Sequence, residues 1–173
     1  MLLCRSESAE KMTMTKETIE LREITKDNVY HVIKLTVKPE QQGTVATNSN
    51  SLAEAYVYPD RAWPRAICLG DKVVGFVMLD VVGPDHPEAP NGRASYYVWR
   101  FMIGGEYQGK GYGRVAMNSV VEHVRTLPAA EELTLSYQPD HPETPGLFYE
   151  KLGFEPTGEI DHGEVVMRIS LSE

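Results

Sequence analysis

Apolar and polar positions change their period several times along this chain, and each change marks an element. IELREI (19–24) alternates apolar and charged residues, the pattern of a half-buried strand. TKDNVYHVIKLTV (25–37) places Val29, Val32, Ile33 and Val37 at helical spacing, with Thr25 or Asp27 as cap and Pro39 as stop. NSNSLAEAYVY (48–58) predicts a short second helix capped by Ser49 or Ser51. RAICLGDKVVGFVMLDVV (65–82) holds two apolar runs joined at Gly70-Asp71, a hairpin signature. Trp63, just before Pro64, is expected in a loop, as a lid or as packing. PDHPEAPNG (84–92) carries three prolines and predicts a loop, because proline cannot donate to a ladder.

RASYYVWRFMI (93–103) is rich in aromatic and branched residues and predicts a long strand. RVAMNSVVEHVRTL (114–127) puts Val115, Met117, Val120, Val121 and Val124 on one apolar stripe, with His123 facing solvent and Pro128 as stop. LTLSY (133–137) is a strand. TPGLFYEKLG (144–153) predicts a short helix capped by Thr144, with Pro145 at its first position and Gly153 closing it. FEPTGEI and GEVVMRISL form a closing hairpin. The order β-α-α-β-β-β-α-β-α-β-β predicts an α/β (α+β) sandwich built on one sheet.

Length and charge narrow the field. The 173 residues suit one domain, expected over 18–173 after a loose N-terminal extension at 1–17. A net charge of −8 argues against nucleic acid, which wants a basic face, and favours a cationic substrate by steering. The same charge also serves solubility. No apolar run approaches the roughly 18 residues of a membrane helix, and MLLCRSESAEKM is too short and charged for a signal peptide. Cys4 and Cys68 fit no metal or redox spacing, so a reduced, cytoplasmic setting without a membrane partner is expected. The five histidines show no metal spacing either, and no metal is expected.

GGEYQGKGYG (104–113) holds five glycines between a strong strand and a strong helix. A helix N-terminus offers unpaired N–H groups and partial positive charge, and glycines let successive N–H groups converge on an anion. Lys110 adds a cation. Neither the P-loop pattern nor G-x-G-x-x-G is present. A tight turn without a ligand is the competing explanation of the glycines alone.

Gln108-x-x-Gly111-x-Gly113 resembles the Q/R-x-x-G-x-G/A motif of the GNAT superfamily of N-acetyltransferases. FMIGGEYQGKGYG resembles that family's strand-to-loop segment, and LFYEKLGFEPTGE resembles its late segment; the likeness spans about residues 18–171. The resemblance implies a single mixed sheet of about six to seven strands, splayed at the central strand and flanked by about four helices. It implies acetyl-CoA as cosubstrate, lying in the splay. The backbone of Phe101, Met102 and Ile103 would hold the acetyl and pantetheine groups. The N–H groups of Gln108, Gly109, Lys110, Gly111, Tyr112, Gly113 and Arg114 would hold the pyrophosphate. Tyr149 aligns with the tyrosine that protonates the leaving thiolate, a match of acid and leaving group within a couple of pKa units. Phe148 is expected in the core. The family's frequent asparagine is replaced by Pro142, which implies a rebuilt helix start, with Asp140, Thr144, a backbone group or nothing in its place.

Many members place a catalytic glutamate on the long strand before the loop. SYYVWRFMI contains no carboxylate, which leaves Asp80, on the preceding strand, and Glu54, on the second helix, as candidate bases, or a water chain. SLAEAYVYP, with LREITKDN, VWRFMI and GFEPTGEIDHGEVVMRI, resembles a bacterial spermine/spermidine subgroup. A polyamine needs carboxylates and aromatic faces, for which Glu54, Tyr56, Asp80 and Trp99 are the candidates. Other acceptors (an aminoglycoside, an amino acid, a protein N-terminus) and a lapsed acyl-CoA-binding module remain open. Dimers are common in the family, so a homodimer is among the expectations.

Overall fold

The computed structural model describes residues 18–172, so the extension expected at 1–17 lies outside the described residues. Among the described residues there are seven strands: β1 (Ile19–Glu23), β2 (Ala62–Leu69), β3 (Lys72–Val82), β4 (Ser95–Ile103), β5 (Glu132–Tyr137), β6 (Glu155–Asp161) and β7 (Glu164–Ser170). Four helices flank them: α1 (Val29–Lys34), α2 (Asn48–Val57), α3 (Tyr112–Arg125) and α4 (Gly146–Glu150). The strands form one sheet in the order β1-β2-β3-β4-β5-β7-β6. Every neighbouring pair is antiparallel except β4 and β5, which are parallel. The single mixed sheet with four helices is the architecture expected from the order of elements.

The near-continuous apolar run of β3 is buried from Val73 to Leu79, because both faces of the sheet are covered. Ala116, Met117, Val120, Val121 and Val124 of α3 pack with Val74, Val77 and Leu79 on one face. Phe76, Met78 and Met102 pack with Val32 of α1 and Leu52 of α2 on the other. Each fully buried side chain of this size contributes about 1.5–3 kcal/mol relative to exposure.

Several local features differ from the sequence-based expectation. The first helix ends at Lys34, not at Pro39. Thr36 and Val37 are β-branched, and Lys38 precedes a proline, so the segment extends. Its Thr36 carbonyl accepts from the Gly105 N–H at 2.8 Å. Neither Thr25 nor Asp27 caps α1; Asn28 braces the turn instead, accepting from Thr25 N at 2.8 Å and donating to Glu23 O at 2.7 Å. Thr47, rather than Ser49 or Ser51, caps α2 by accepting from Asn50 N at 3.3 Å. Pro145, not Thr144, holds the cap position of α4. Val115 lies off the α3 stripe and is exposed, one residue being about 100° of rotation from buried Ala116.

Trp63 is not in a loop but on β2, and His123 does not face open solvent. The two rings stack at 4.1 Å and 12°, and the Arg65 guanidinium also lies 4.1 Å from the indole. Burial, and then the Arg65 charge, pushes the His123 pKa down. The unfolded chain then binds more protons than the fold, so stability falls as pH drops through the ordinary imidazole range near 6.5. His123→Phe keeps the stack without the titration; its melting temperature is expected to fall less between pH 7 and 5 than that of the wild type.

Gly75 brings β3 tight against β4. A Cβ there would stand 2.5 Å from the Met102 carbonyl oxygen and 2.9 Å from Ile103 Cδ1. Gly75→Ala is expected to cost about 1–3 kcal/mol in urea unfolding. Gly83→Ala, where nothing lies within 4 Å, is expected to change stability by less than about 0.5 kcal/mol. Equal effects at the two positions would overturn the packing argument.

Candidate active site

The parallel strands β4 and β5 pair at one position only, Tyr97 with Thr134. Beyond it they diverge, and the gap opens into a cleft of about 870 Å³. β4 enters this cleft with a bulge: the register steps from Leu79↔Val98 to Met78↔Arg100, leaving Trp99 unpaired. The Gly104 N–H turns to Val74 on β3, at 2.9 Å. By strand alternation Met102 does the same, so its backbone faces β3 while the backbone groups of Phe101 and Ile103 face the cleft. Gln108 Nε2 donates to the Ile103 carbonyl at 2.9 Å and to Gln41 at 2.7 Å, closing the loop onto the strand end.

The glycine loop forms the mouth of the cleft. Gly109 and Gly111 have φ of +75° and +83°, in the left-handed region that glycine tolerates best. Gly111 is the cap position of α3, which starts at Tyr112. Among the described residues, no backbone carbonyl accepts the N–H groups of Gln108 to Arg114. Seven successive N–H groups at a helix N-terminus are thus left without a backbone acceptor, and all of their residues but Lys110 line the cleft, a set suited to a pyrophosphate. Lys110 Nζ donates to the Glu106 carbonyl at 3.1 Å and so stays beside the loop.

Tyr149 of α4 lines the same cleft and is 7% exposed. It sits among Tyr137, Phe148 and Phe154, with ring centroids 6.4, 5.2 and 5.9 Å away. Burial, and secondarily Tyr97, pushes its pKa up, so the phenol keeps its proton. A buried phenol that keeps its proton can donate it, but as a weaker acid than a free tyrosine, so burial widens the gap between acid and leaving thiolate. In the loop before α4, on either side of Pro142, Thr144 N donates to the His141 carbonyl at 3.0 Å and Glu143 N to His141 Nδ1 at 3.1 Å. His141 to Pro145 line the cleft, whereas Asp140 is exposed outside it.

The expected acceptor-side residues are only partly brought together. Trp99 lines the cleft, its ring 6.0 Å from Tyr58 and 5.6 Å from the Arg100 guanidinium. Glu54 accepts from Arg100 Nη2 at 3.1 Å, on the α1–α2 face of the sheet. Asp80 lies away from the cleft lining and is gripped by Arg61, with Nε 2.6 Å from Oδ1. Tyr56 is 86% exposed and does not line the cleft.

Three polar residues at the fork had no signal in the sequence: Tyr97 on β4, Ser136 on β5 and Glu164 on β7, all lining the cleft. Tyr97 Oη lies 2.7 Å from Ser136 Oγ, which donates to Glu164 Oε2. Glu164 reaches them because β7 pairs with β5, Ser136 opposite Val166. Glu164 is two residues before Val166, hence on the same face. Only a tight β6–β7 turn, with His162 and Gly163 both at positive φ, would have hinted that Glu164 opens a strand.

Residues 45–154 match the Acetyltransferase (GNAT) family. The match covers more than half of the chain, which therefore belongs to that family and is an N-acetyltransferase. Spermine/spermidine N(1)-acetyltransferase of Bacillus subtilis is 28% identical over 156 residues, 87% of this chain and 97% of the relative. A GNAT-family protein from Desulfovibrio desulfuricans superposes with a TM-score of 0.69 at 15% identity, covering 90% of this chain and all of that one. Spermidine N-acetyltransferase from Vibrio cholerae, solved with CoA and spermine, gives 0.64 at 17% identity over 88% of this chain and 95% of that one. Among the described residues, no helix is long and apolar enough to cross a membrane.

The donor array predicts a specific loss. Gly111→Val forces a branched side chain into a left-handed backbone, strain of about 1–3 kcal/mol. CoA affinity, measured by calorimetry, is expected to fall by about tenfold or more. Unchanged affinity would remove the loop from the binding site.

Proposed function

We propose that this enzyme transfers the acetyl group of acetyl-CoA to a primary amine of a small polycation such as spermine or spermidine, by direct attack of the amine. The observation that carries it is the cleft itself, which joins an array of free N–H groups, an open strand edge and a buried phenol. The pyrophosphate would lie on the N–H groups of Gln108 to Arg114. The pantetheine arm would follow the open edge of β4 at Ile103, and the Phe101 N–H would polarise the thioester carbonyl. Tyr149 would protonate the departing thiolate.

The acceptor would enter from the α1–α2 side, where Trp99 and Tyr58 offer aromatic faces to an ammonium. Glu54 tempers the charge of Arg100 there. The net charge of −8 favours a cation. The Bacillus subtilis relative, named for spermine and spermidine, supports this acceptor class. Glu54 and Asp80, the bases expected from the sequence, fit better as charge-balancing groups, since each already accepts from an arginine.

CoA-thiol release tests this against spermine, spermidine, putrescine, lysine, an aminoglycoside and a short peptide. Saturable turnover on spermine or spermidine, well above the others, is expected. Preference for the peptide or the aminoglycoside would overturn the polyamine assignment. Tyr149→Phe is expected to lower kcat by about a hundredfold or more; a change within about threefold would remove Tyr149 as the acid.

A further inference from the structure

The chain Tyr97–Ser136–Glu164 comes from three strands, lines the cleft and has no role in the proposed acetyl transfer as described above. Its hydrogen bonds have one direction. A carboxylate only accepts, so the single hydroxyl proton of Ser136 is committed to Glu164. The 2.7 Å contact between Tyr97 Oη and Ser136 Oγ is then donation from Tyr97. The lone pairs of the Tyr97 oxygen are left to receive a hydrogen from the cleft.

The faces of the sheet add a second constraint. Tyr96 and Val98 belong to the cluster under α3, as do Leu133, Leu135, Met167 and Tyr149. By alternation Tyr97, Ser136 and Glu164 stand on the opposite face, where α1 and α2 pack. The acid for the leaving sulfur and the Tyr97 oxygen therefore approach the fork from opposite faces of the sheet, which leaves room for the thioester carbon between them.

We propose that Tyr97, Ser136 and Glu164 form a proton relay that takes the proton of the attacking amine, with Glu164 as its terminal acceptor. The inference rests on acetyl transfer and not on which amine is the acceptor. The ammonium gives one proton to the Tyr97 oxygen as Tyr97 passes its own to Ser136 and Ser136 passes its own to Glu164. The freed nitrogen lone pair forms the C–N bond to the thioester carbonyl carbon. The C–S bond breaks with its electron pair on sulfur, which takes the Tyr149 proton. The remaining surplus proton on nitrogen restores Tyr149, and Glu164 releases its proton to water. Burial holds Tyr97 protonated, which suits a link that passes protons on rather than storing charge.

The test is thiol release at saturating acetyl-CoA, with spermidine as acceptor and, as a second readout, with water as acceptor in the slow hydrolysis. Glu164→Gln is expected to lower kcat about a hundredfold while the KM for acetyl-CoA moves less than about threefold. Formate added to Glu164→Ala is expected to restore the rate saturably, and chloride at equal ionic strength is not. Ser136→Ala is expected to lose a similar factor that formate does not restore, because the link itself is missing. The relay is overturned if Glu164→Gln stays within about threefold of wild type on both acceptors. It is equally overturned if folded Glu164→Ala is slow and formate does nothing, the result of a merely structural role. A wild type that hydrolyses acetyl-CoA but ignores spermidine would remove the polyamine acceptor, and the relay would then be judged on hydrolysis.

Discussion

One parallel contact organises this molecule. β4 and β5 lie side by side in a parallel sense but pair only at Tyr97 and Thr134. Parallel neighbours cannot be joined by a tight turn and need a crossover, which here is α3. The crossover must begin where β4 ends, so its N-terminus and the glycine loop fall at the wide end of the gap. Beyond the junction the backbone groups of Phe101 and the Ile103 N–H have no strand partner on that side, the Ile103 carbonyl being met by the Gln108 side chain. Such groups are costly to leave unmet in a closed site, and a ligand that pairs with them recovers that cost. Cleft, donor array and open strand edge thus follow from a single departure from antiparallel pairing.

The bulge at Trp99 has a similar reach. An extra residue on β4 shifts the alternation so that Trp99 and Arg100 both lie on the α1–α2 face, while Val98 and Phe101 lie on the α3 face. A cation at the fork would repel a cationic acceptor, and Glu54 on α2 tempers it. The two faces take different work. The α3 face carries the buried phenol and the helix N-terminus with its unpaired N–H groups; the α1–α2 face carries the aromatic wall and the Tyr97–Ser136–Glu164 chain. The segment after α1 ties them, since its Thr36 carbonyl accepts from Gly105 in the glycine loop.

Local signals were legible where they depend on near neighbours along the chain. The apolar runs of β2 and β3, the stripe of α3, the left-handed Gly153 after α4 and the glycine loop all appear in the structure at their expected places. Helix ends were legible only to within a few residues. Thr47 and Ser49 are both acceptable caps on intrinsic grounds, and the buried Asn48 side chain, bound to the Val32 carbonyl at 2.8 Å, holds the start of α2 against α1. His123 looked solvent-facing on its helix because the stacking partner, Trp63, is distant in sequence.

By itself the sequence determined the order of elements, the glycine loop at the start of α3 and the place of Tyr149, because periodicity, backbone freedom and short motifs act over a few residues. Only the tertiary structure decided which carboxylates are free to act. Asp80 and Glu54 are taken up by Arg61 and Arg100, while Glu164, far from both in the chain, reaches Ser136 across the β5–β7 pairing. The availability of a charge depends on which opposite charge folding brings beside it, and strand pairing over long separations sets that partner.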